Sequence, residues 1–196
     1  MRIISGSLKG LRLNISAKAR IRPTAEKIRE ALFNALGPKV FGVDALDLFA
    51  GSGAIGIEAL SRGAKSVTLV EKDLRLARSL QQFCAGLKTP RSVKVLNMDA
   101  MKCLDYLSAQ SASFGVIFMD PPYDTDWVAQ LLTNRSFLSL ILPGGLVVVE
   151  TSSSGNALPN CEDHGLQNIF SRKYGSSRLE IFSSVESDLN SNLESN

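Results

Sequence analysis

The chain has 196 residues, 44% hydrophobic and 21% charged, enough for one domain with a substantial core and ordinary for a globular protein. No apolar run approaches the roughly 20 residues of a membrane span, and Met1-Arg-Ile-Ile-Ser-Gly6 is not followed by a signal-peptide core. Cys84, Cys103 and Cys161 lack metal-ligand spacing and His164 is the lone histidine, which argues against a zinc centre or a histidine-dependent triad; no metal is expected. Widely spaced thiols of this kind fit a reducing compartment, so a cytoplasmic protein is expected. The net charge of +3 is unevenly placed. Residues 1–30 hold Arg2, Lys9, Arg12, Lys18, Arg20, Arg22, Lys27 and Arg29 against Glu26 and Glu30, a balance of +6, which leaves −3 for the remainder. Such asymmetry can steer a polyanion toward one end of the molecule, and a solvated basic surface accounts for it equally well.

In chain order, Ile3-Ile4 and Leu11 to Leu13 around Gly6 and Gly10 predict a small β-hairpin or extended arm over residues 1–20, with Lys9-Gly10 at or near its turn. Pro23 restricts Arg22 to an extended conformation, and Thr24 is expected to cap the next helix. In that helix Ile28, Ala31, Leu32, Ala35 and Leu36 make one apolar face, and Gly37-Pro38 ends it. Arg29 lies off this face and is read as a solvated charge. From Val43 onward strands are expected at 43–49, 65–71, 92–97, 115–119 and 145–150. Helices are expected at 53–62, 73–86, 100–108 and 125–133, with a short piece near 135–141. Short apolar strands alternating with helices imply a mostly parallel sheet covered on both faces. Residues 165–173 and 177–184, joined at Tyr174-Gly175-Ser176, read as an antiparallel pair at one edge. The resulting fold class is α/β: a seven-stranded Rossmann-like sheet of unassigned strand order, with a hairpin arm (1–20), a main domain (21–184) and a disordered tail (185–196).

The chemistry gathers at strand ends. Asp47-Leu-Phe-Ala-Gly51-Ser-Gly53-Ala-Ile-Gly56 reads as strand, glycine turn and helix start, where Gly51, Gly53 and Gly56 permit a sharp turn and close packing. Glu71 stands 20 residues after Gly51, the offset at which a carboxylate accepts from ribose hydroxyls. Dinucleotides and S-adenosylmethionine share that need. Asp47, just before the glycines, would repel a pyrophosphate but suits a zwitterionic amino acid and a sulfonium, and it can also cap the turn through backbone N–H groups. Asp99 can accept from an adenine amine or cap the helix starting near Ala100. Glu150, at the end of the fifth strand, is read as a solvated edge residue. Asp120-Pro121-Pro122-Tyr123 follows the fourth strand. Two prolines fix the backbone there, Asp120 and a proline carbonyl can accept both hydrogens of an exocyclic amine, and Tyr123 can stack on the base.

Taken together, Asp47 to Gly53, Glu71 and Asp120 to Tyr123 resemble the class I S-adenosylmethionine-dependent methyltransferases that modify exocyclic amines. Met1 to Gly6, Lys9-Gly10, Arg22-Pro-Thr24, Arg29-Glu-Ala-Leu-Phe-Asn34, Glu58-Ala-Leu-Ser-Arg-Gly-Ala64 and Tyr174-Gly175 more narrowly resemble the RsmD family of 16S ribosomal RNA guanine-N2 methyltransferases. That resemblance implies a methyltransferase domain in which Asp47, Gly51, Ser52 and Gly53 cradle the methionine part, Glu71 binds ribose and Asp99 contacts adenine. It also implies that Asp120, Pro121 and Tyr123 hold the target guanine, that Arg22 and Thr24 touch cofactor or RNA, and that Arg2, Lys9 and Arg12 contact RNA. The implied partner is 16S ribosomal RNA in an assembling small subunit, met by a monomer. A DNA adenine or cytosine amino-methyltransferase is the alternative; such enzymes usually carry a sizeable target-recognition module, and no segment here is long enough for one.

Overall fold

The strand–helix alternation is realised in one seven-stranded sheet of order β3-β2-β1-β4-β5-β7-β6. The computed structural model describes residues 1–15, 23–88, 92–122, 125–155 and 158–185. The strands are β1 (Asp44–Asp47), β2 (Ser66–Val70), β3 (Val93–Leu96), β4 (Phe114–Met119), β5 (Ile141–Ser152), β6 (Leu166–Tyr174) and β7 (Ser177–Ser184). The first five pair in parallel, and β7 runs antiparallel between β5 and β6. From β1 the chain winds outward through β2 and β3, then returns to place β4 on the other side of β1. This reversal opens a crevice at the carboxyl ends of β1 and β4, where open α/β sheets bind ligands.

Side chains alternate along each strand and so feed two cores. Ala45, Val67, Leu69, Val116 and Phe118 meet helices α1 (Pro23–Leu36), α2 (Ala54–Ser61) and α3 (Leu74–Ala85). Leu46, Ile117, Val147 and Val149 meet α4 (Ala100–Ser108), α5 (Trp127–Leu132) and α6 (Arg135–Leu138) on the opposite face. Cys84, Cys103 and Cys161 are buried free thiols, and burial pushes the first two up to about 11.

Element ends differ from the sequence reading for local reasons. β1 is shorter than expected, ending at Asp47, yet the N–H groups of Leu48 and Ala50 still donate to Phe118 O of β4 and Val70 O of β2 at 3.1 and 2.9 Å, so the chain stays tied to both neighbours as it enters the glycine turn. β5 is longer than expected, since Ile141 pairs with Phe114 before a register shift around Gly144, whose φ is +68°. Helix α1 begins at Pro23, so Thr24 lies inside its first turn and does not occupy the cap position. Proline suits that first position because its missing N–H has no intrahelical partner to lose. As the sequence predicts, α1 stops at Leu36 before Gly37-Pro38, where Gly37 turns left-handed at φ +54°, and a separate 3-10 turn runs from Gly37 to Val40.

The N-terminal arm is a minimal hairpin, with an antiparallel bridge between Arg2 and Arg12 and Gly10 N–H donating to Ile3 O at 2.9 Å. It is pinned to α2 by Glu58, which is fully buried. The Glu58 carboxylate accepts from the N–H groups of Ile4 and Ser5 at 2.8 and 3.0 Å and from Arg62 Nε at 2.8 Å. Ser61 adds a second pin, accepting from Leu8 N–H at 2.9 Å and donating to the Ser5 carbonyl. Gly6 passes so close that a Cβ there would sit 1.8 Å from the Ser61 carbonyl oxygen, which only glycine permits.

Arg29 corrects the expectation of a solvated charge. It is 4% exposed, donates through Nη2 to the Arg2 carbonyl at 2.9 Å and through Nη1 to Met1 Sδ at 3.0 Å, and stands 3.7 Å from Glu58. Burial lowers its pKa, with Glu58 acting in the opposite direction. The hairpin covers a side of α1 that the helix's own apolar pattern leaves polar.

Removing one member of a buried, hydrogen-bonded ion pair costs about 3–5 kcal/mol. Glu58→Ala is therefore expected to lower the urea-unfolding free energy by about that amount. Faster hydrogen exchange at the Ile4 and Ser5 amides should accompany it, and an unchanged unfolding curve would rule out Glu58 as the anchor.

Candidate active site

Above the crevice between β1 and β4 lies a cavity of about 500 Å³. Leu48, Phe49, Val70 and Met98 supply an apolar wall, while Glu71, Asp99 and Asp120 bring three carboxylates to it from the ends of β2, β3 and β4.

The glycine turn is built as the spacing predicts. Gly51 and Gly53 have φ of +53° and +77°, and Gly53 leads into α2. Gly56 allows α2 to lie on the sheet, since a Cβ there would meet Leu69 Cδ2 at 2.2 Å. Glu71 ties this turn to the end of β2. Its Oε2 accepts from Gly51 N–H at 2.8 Å and its Oε1 from Asp73 N–H at 2.7 Å, leaving further lone pairs for a ligand. Asp99 caps α4, its Oδ1 accepting from Met101 N–H at 3.1 Å, and the residue also lines the cavity. Lys72 Nζ stands 3.2 Å from Asp99 Oδ2.

Asp47 is 1% exposed and sits behind the turn, where Oδ2 accepts from Gly56 N–H at 3.1 Å. The cavity walls do not include Asp47, Gly51, Ser52 or Gly53. Burial pushes the Asp47 carboxyl up to about 7; hydrogen bonds from Gly56 and Phe49 oppose the shift and Glu71 adds to it.

Asp120 opens to solvent on its cleft side and is crowded by protein on the others. That crowding raises its pKa above the usual carboxylate range, and the nearby charges of Glu150 and Asp47 raise it further. Water entering from the cleft screens part of this effect. Met119 pairs with Val149, which sets Asp120 beside Glu150 at the next position of adjacent parallel strands. The following Pro121 is buried, and the Pro122 carbonyl accepts from Thr125 Oγ1 at 2.7 Å, which braces the loop.

Tyr123 and Arg22 lie outside the described residues, as do the Thr24 side chain and the expected tail from 186 onward. Arg2, Lys9 and Arg12 are exposed on the hairpin and do not line this cavity. Trp127 does line it and was not anticipated. Its ring meets Phe49 edge-on, centroids 6.2 Å apart, beside the two prolines. A lone tryptophan seven residues after Asp120 is the signal that could have found it. Among the described residues no group of three or more His, Cys, Asp or Glu could hold a metal, and no helix is long and apolar enough to cross a membrane.

A cavity of this size, with an apolar wall and carboxylates fixed at its rim, fits an adenosine-bearing ligand. The acidic residue buried behind the glycine turn fits a cationic donor better than a pyrophosphate. Sheet order and site together define a class I S-adenosylmethionine-dependent methyltransferase. The family described as "Conserved hypothetical protein 95" matches residues 1–183, and the chain belongs to this family, the RsmD family. It is 35% identical to "Ribosomal RNA small subunit methyltransferase D" of Escherichia coli (strain K12), covering 81% of this chain and 78% of that protein. A solved hypothetical protein from Thermus thermophilus is 33% identical, with a TM-score of 0.72 over 95% of this chain and 99% of that one. The T. thermophilus 16S rRNA N2 G1207 methyltransferase, solved with AdoMet and guanosine, is 25% identical with a TM-score of 0.64, over 94% of this chain and 49% of that one.

The raised Asp47 pKa has a stability consequence. Folding favours its protonated form, so the associated stability is present below the ordinary aspartate pKa and is lost as pH rises toward about 7. Asp47→Asn keeps an acceptor for Gly56 N–H but does not titrate. Between about pH 4.5 and 7.5 the wild type should therefore lose stability relative to Asp47→Asn in chemical denaturation, and parallel pH curves would refute the buried titration.

Proposed function

We propose that the protein methylates the exocyclic N2 amine of a guanine in 16S ribosomal RNA. It is proposed to act in the cytoplasm as a monomer, with an assembling small subunit as substrate. The observation that carries this reading is one cavity lined from the ends of β2 and β3 on one side and of β4 on the other. Glu71 and Asp99 stand at the end suited to an adenosine, and Asp120 with Pro121 stands at the end suited to a planar amine. A named relative in the family is a methyltransferase of small-subunit ribosomal RNA, and an N2-guanine methyltransferase shares the sheet.

S-adenosylmethionine, when bound, supplies an electrophilic methyl group on a sulfonium centre. The chain's own residues then have separable tasks. Glu71, locked by two backbone N–H groups, presents its remaining lone pairs to ribose hydroxyls. Asp99 accepts from the adenine amine, and the turn from Gly51 through Ser52 to Gly53 backs the methionine part with the Asp47 carboxyl behind it. Thr24, at the start of α1, is assigned to the same end.

Guanine N2 is a poor nucleophile because its lone pair is delocalised into the ring. Hydrogen bonds from the amine to Asp120 and the Pro121 carbonyl favour a more pyramidal nitrogen as the bond forms. Tyr123 and Trp127 flank the base by stacking, which compensates for the stacking lost when it leaves its helix or loop. As N2 gains the methyl it sheds one proton, and the Asp120 carboxylate, whose proton affinity is raised by burial, Glu150 and Asp47, receives it. Arg2, Lys9 and Arg12 on the hairpin, together with Arg22, are assigned to RNA phosphates.

Incubating the protein with methyl-labelled donor and either 16S RNA, small-subunit particles or duplex DNA tests the reading. Label on an N2-guanine of the RNA is expected; label on DNA alone overturns it. Asp120→Ala should lower transfer at least about 100-fold while donor binding by calorimetry persists. Because Asp120 must be ionised to accept, transfer should rise with pH through its elevated pKa. Glu150→Gln should move that rising limb to lower pH.

A further inference from the structure

A second depression, of about 490 Å³, lies between the hairpin and the first turns of α1. Arg2 and Lys9 border it from the hairpin, and Glu26, Lys27 and Glu30 from the helix. Glu26 and Glu30 are one turn apart and therefore share a helix face. Among the described residues, the side chains of these five make no ion pair or hydrogen bond with one another or with any other described residue. Glu26 feels the charge of Arg29, but Arg29 is buried and already engaged with Met1 and the Arg2 carbonyl.

Opposite charges that share a depression without pairing leave cationic donors and anionic acceptors open to a ligand between them. A bare anion would meet two carboxylates, and a bare cation would meet three basic groups. The complementary ligand carries an anion and neutral N–H donors on one rigid body, which is the chemistry of a nucleotide whose base has an exocyclic amine. The depression also adjoins the donor side of the molecule. Arg2 follows Met1, whose Sδ is 3.8 Å from Ser52 Oγ in the glycine turn.

We propose that this depression seats a nucleotide flanking the target guanine, its phosphate on Arg2, Lys9 and Lys27 and the amine of its base on Glu26 and Glu30. The inference rests on the RNA reading above and adds a base-reading site to it. Carboxylates on a polyanion-binding surface weaken binding by repulsion unless they accept specific hydrogen bonds. Their removal therefore has opposite signs in the two cases.

The test measures binding of full-length 16S ribosomal RNA and of a scrambled RNA of equal length at several salt concentrations. The double variant Glu26→Gln/Glu30→Gln should bind 16S RNA about tenfold more weakly while binding the scrambled RNA as tightly as wild type or more so. Arg2→Ala, Lys9→Ala and Lys27→Ala should each weaken both RNAs and reduce the salt slope by about one. If the double variant binds both RNAs equally more tightly, or is indistinguishable from wild type on both, the carboxylates read no base and the proposal is overturned. Methyl transfer by wild type to 16S RNA and to small-subunit particles, run alongside, separates this failure from failure of the RNA reading, which would show as no transfer to either. Donor binding by calorimetry checks folding. Glu30→Gln alone, at an exposed position, repeats the measurement with the smaller change, and the same loss confined to 16S RNA is expected.

Discussion

The carboxylate of Glu58 is the joint on which the N-terminal third of the molecule depends. A charge buried in α2 is tolerated only if its acceptor capacity is filled, and the fill comes from outside the helix. Two N–H groups of the hairpin and the Arg62 side chain supply it. The hairpin itself has one ladder bridge and no independent stability to speak of. Its place is set by α2, by the Ser61 hydroxyl and by the Arg29 guanidinium reaching over from α1. Three segments distant in the chain are locked by polar contacts whose loss would leave a buried charge unpaired.

A comparable constraint shapes the crevice, with the opposite balance. Asp47 and Asp120 crowd toward one another and toward Glu71 and Glu150, and among the described residues no cation pairs with Asp47 or Asp120 as Arg62 pairs with Glu58. Lys72 reaches Asp99 at the rim, but its side chain is largely exposed. An arrangement that raises carboxylate pKa values is unfavourable for stability at neutral pH. It becomes favourable when a cation occupies the space, which is what the proposed donor brings. The same elevated proton affinity is useful at Asp120, where an amine must lose a proton.

Much of this was legible because it is local. Alternation of short apolar strands with helices, the glycine turn and the Asp-Pro-Pro run are written in consecutive residues, and strand ends are where such acidic residues meet in a wound sheet. What was hidden depends on long-range cover. Arg29 lies off the apolar stripe of its own helix, and only a hairpin 27 residues away in sequence makes that position interior. Glu58 sits in a helix too short and too apolar to announce a partner. Asp47 could be read as facing a ligand or facing the turn, and the Gly56 N–H behind the strand decides where it points. Trp127 reaches the cavity because Phe49, 78 residues earlier, offers an edge for it to pack on.

The hairpin and the donor turn are not independent parts. Met1 Sδ receives the Arg29 guanidinium at 3.0 Å and lies 3.8 Å from the Ser52 hydroxyl, so one side chain bridges the basic arm and the turn between β1 and α2. Any shift of the hairpin must move that sulfur away from Ser52 or break the Arg29 contact, while Glu71 holds the same turn from the other side through Gly51. The exposed charges of Arg2, Lys9 and Arg12 on the hairpin are thereby held at a fixed offset from the cavity. On the proposed reading, a polyanion drawn to the arm by long-range attraction would arrive already registered against the crevice. This is a better reason for a pinned, single-bridge hairpin than stability, to which so small an element adds little on its own.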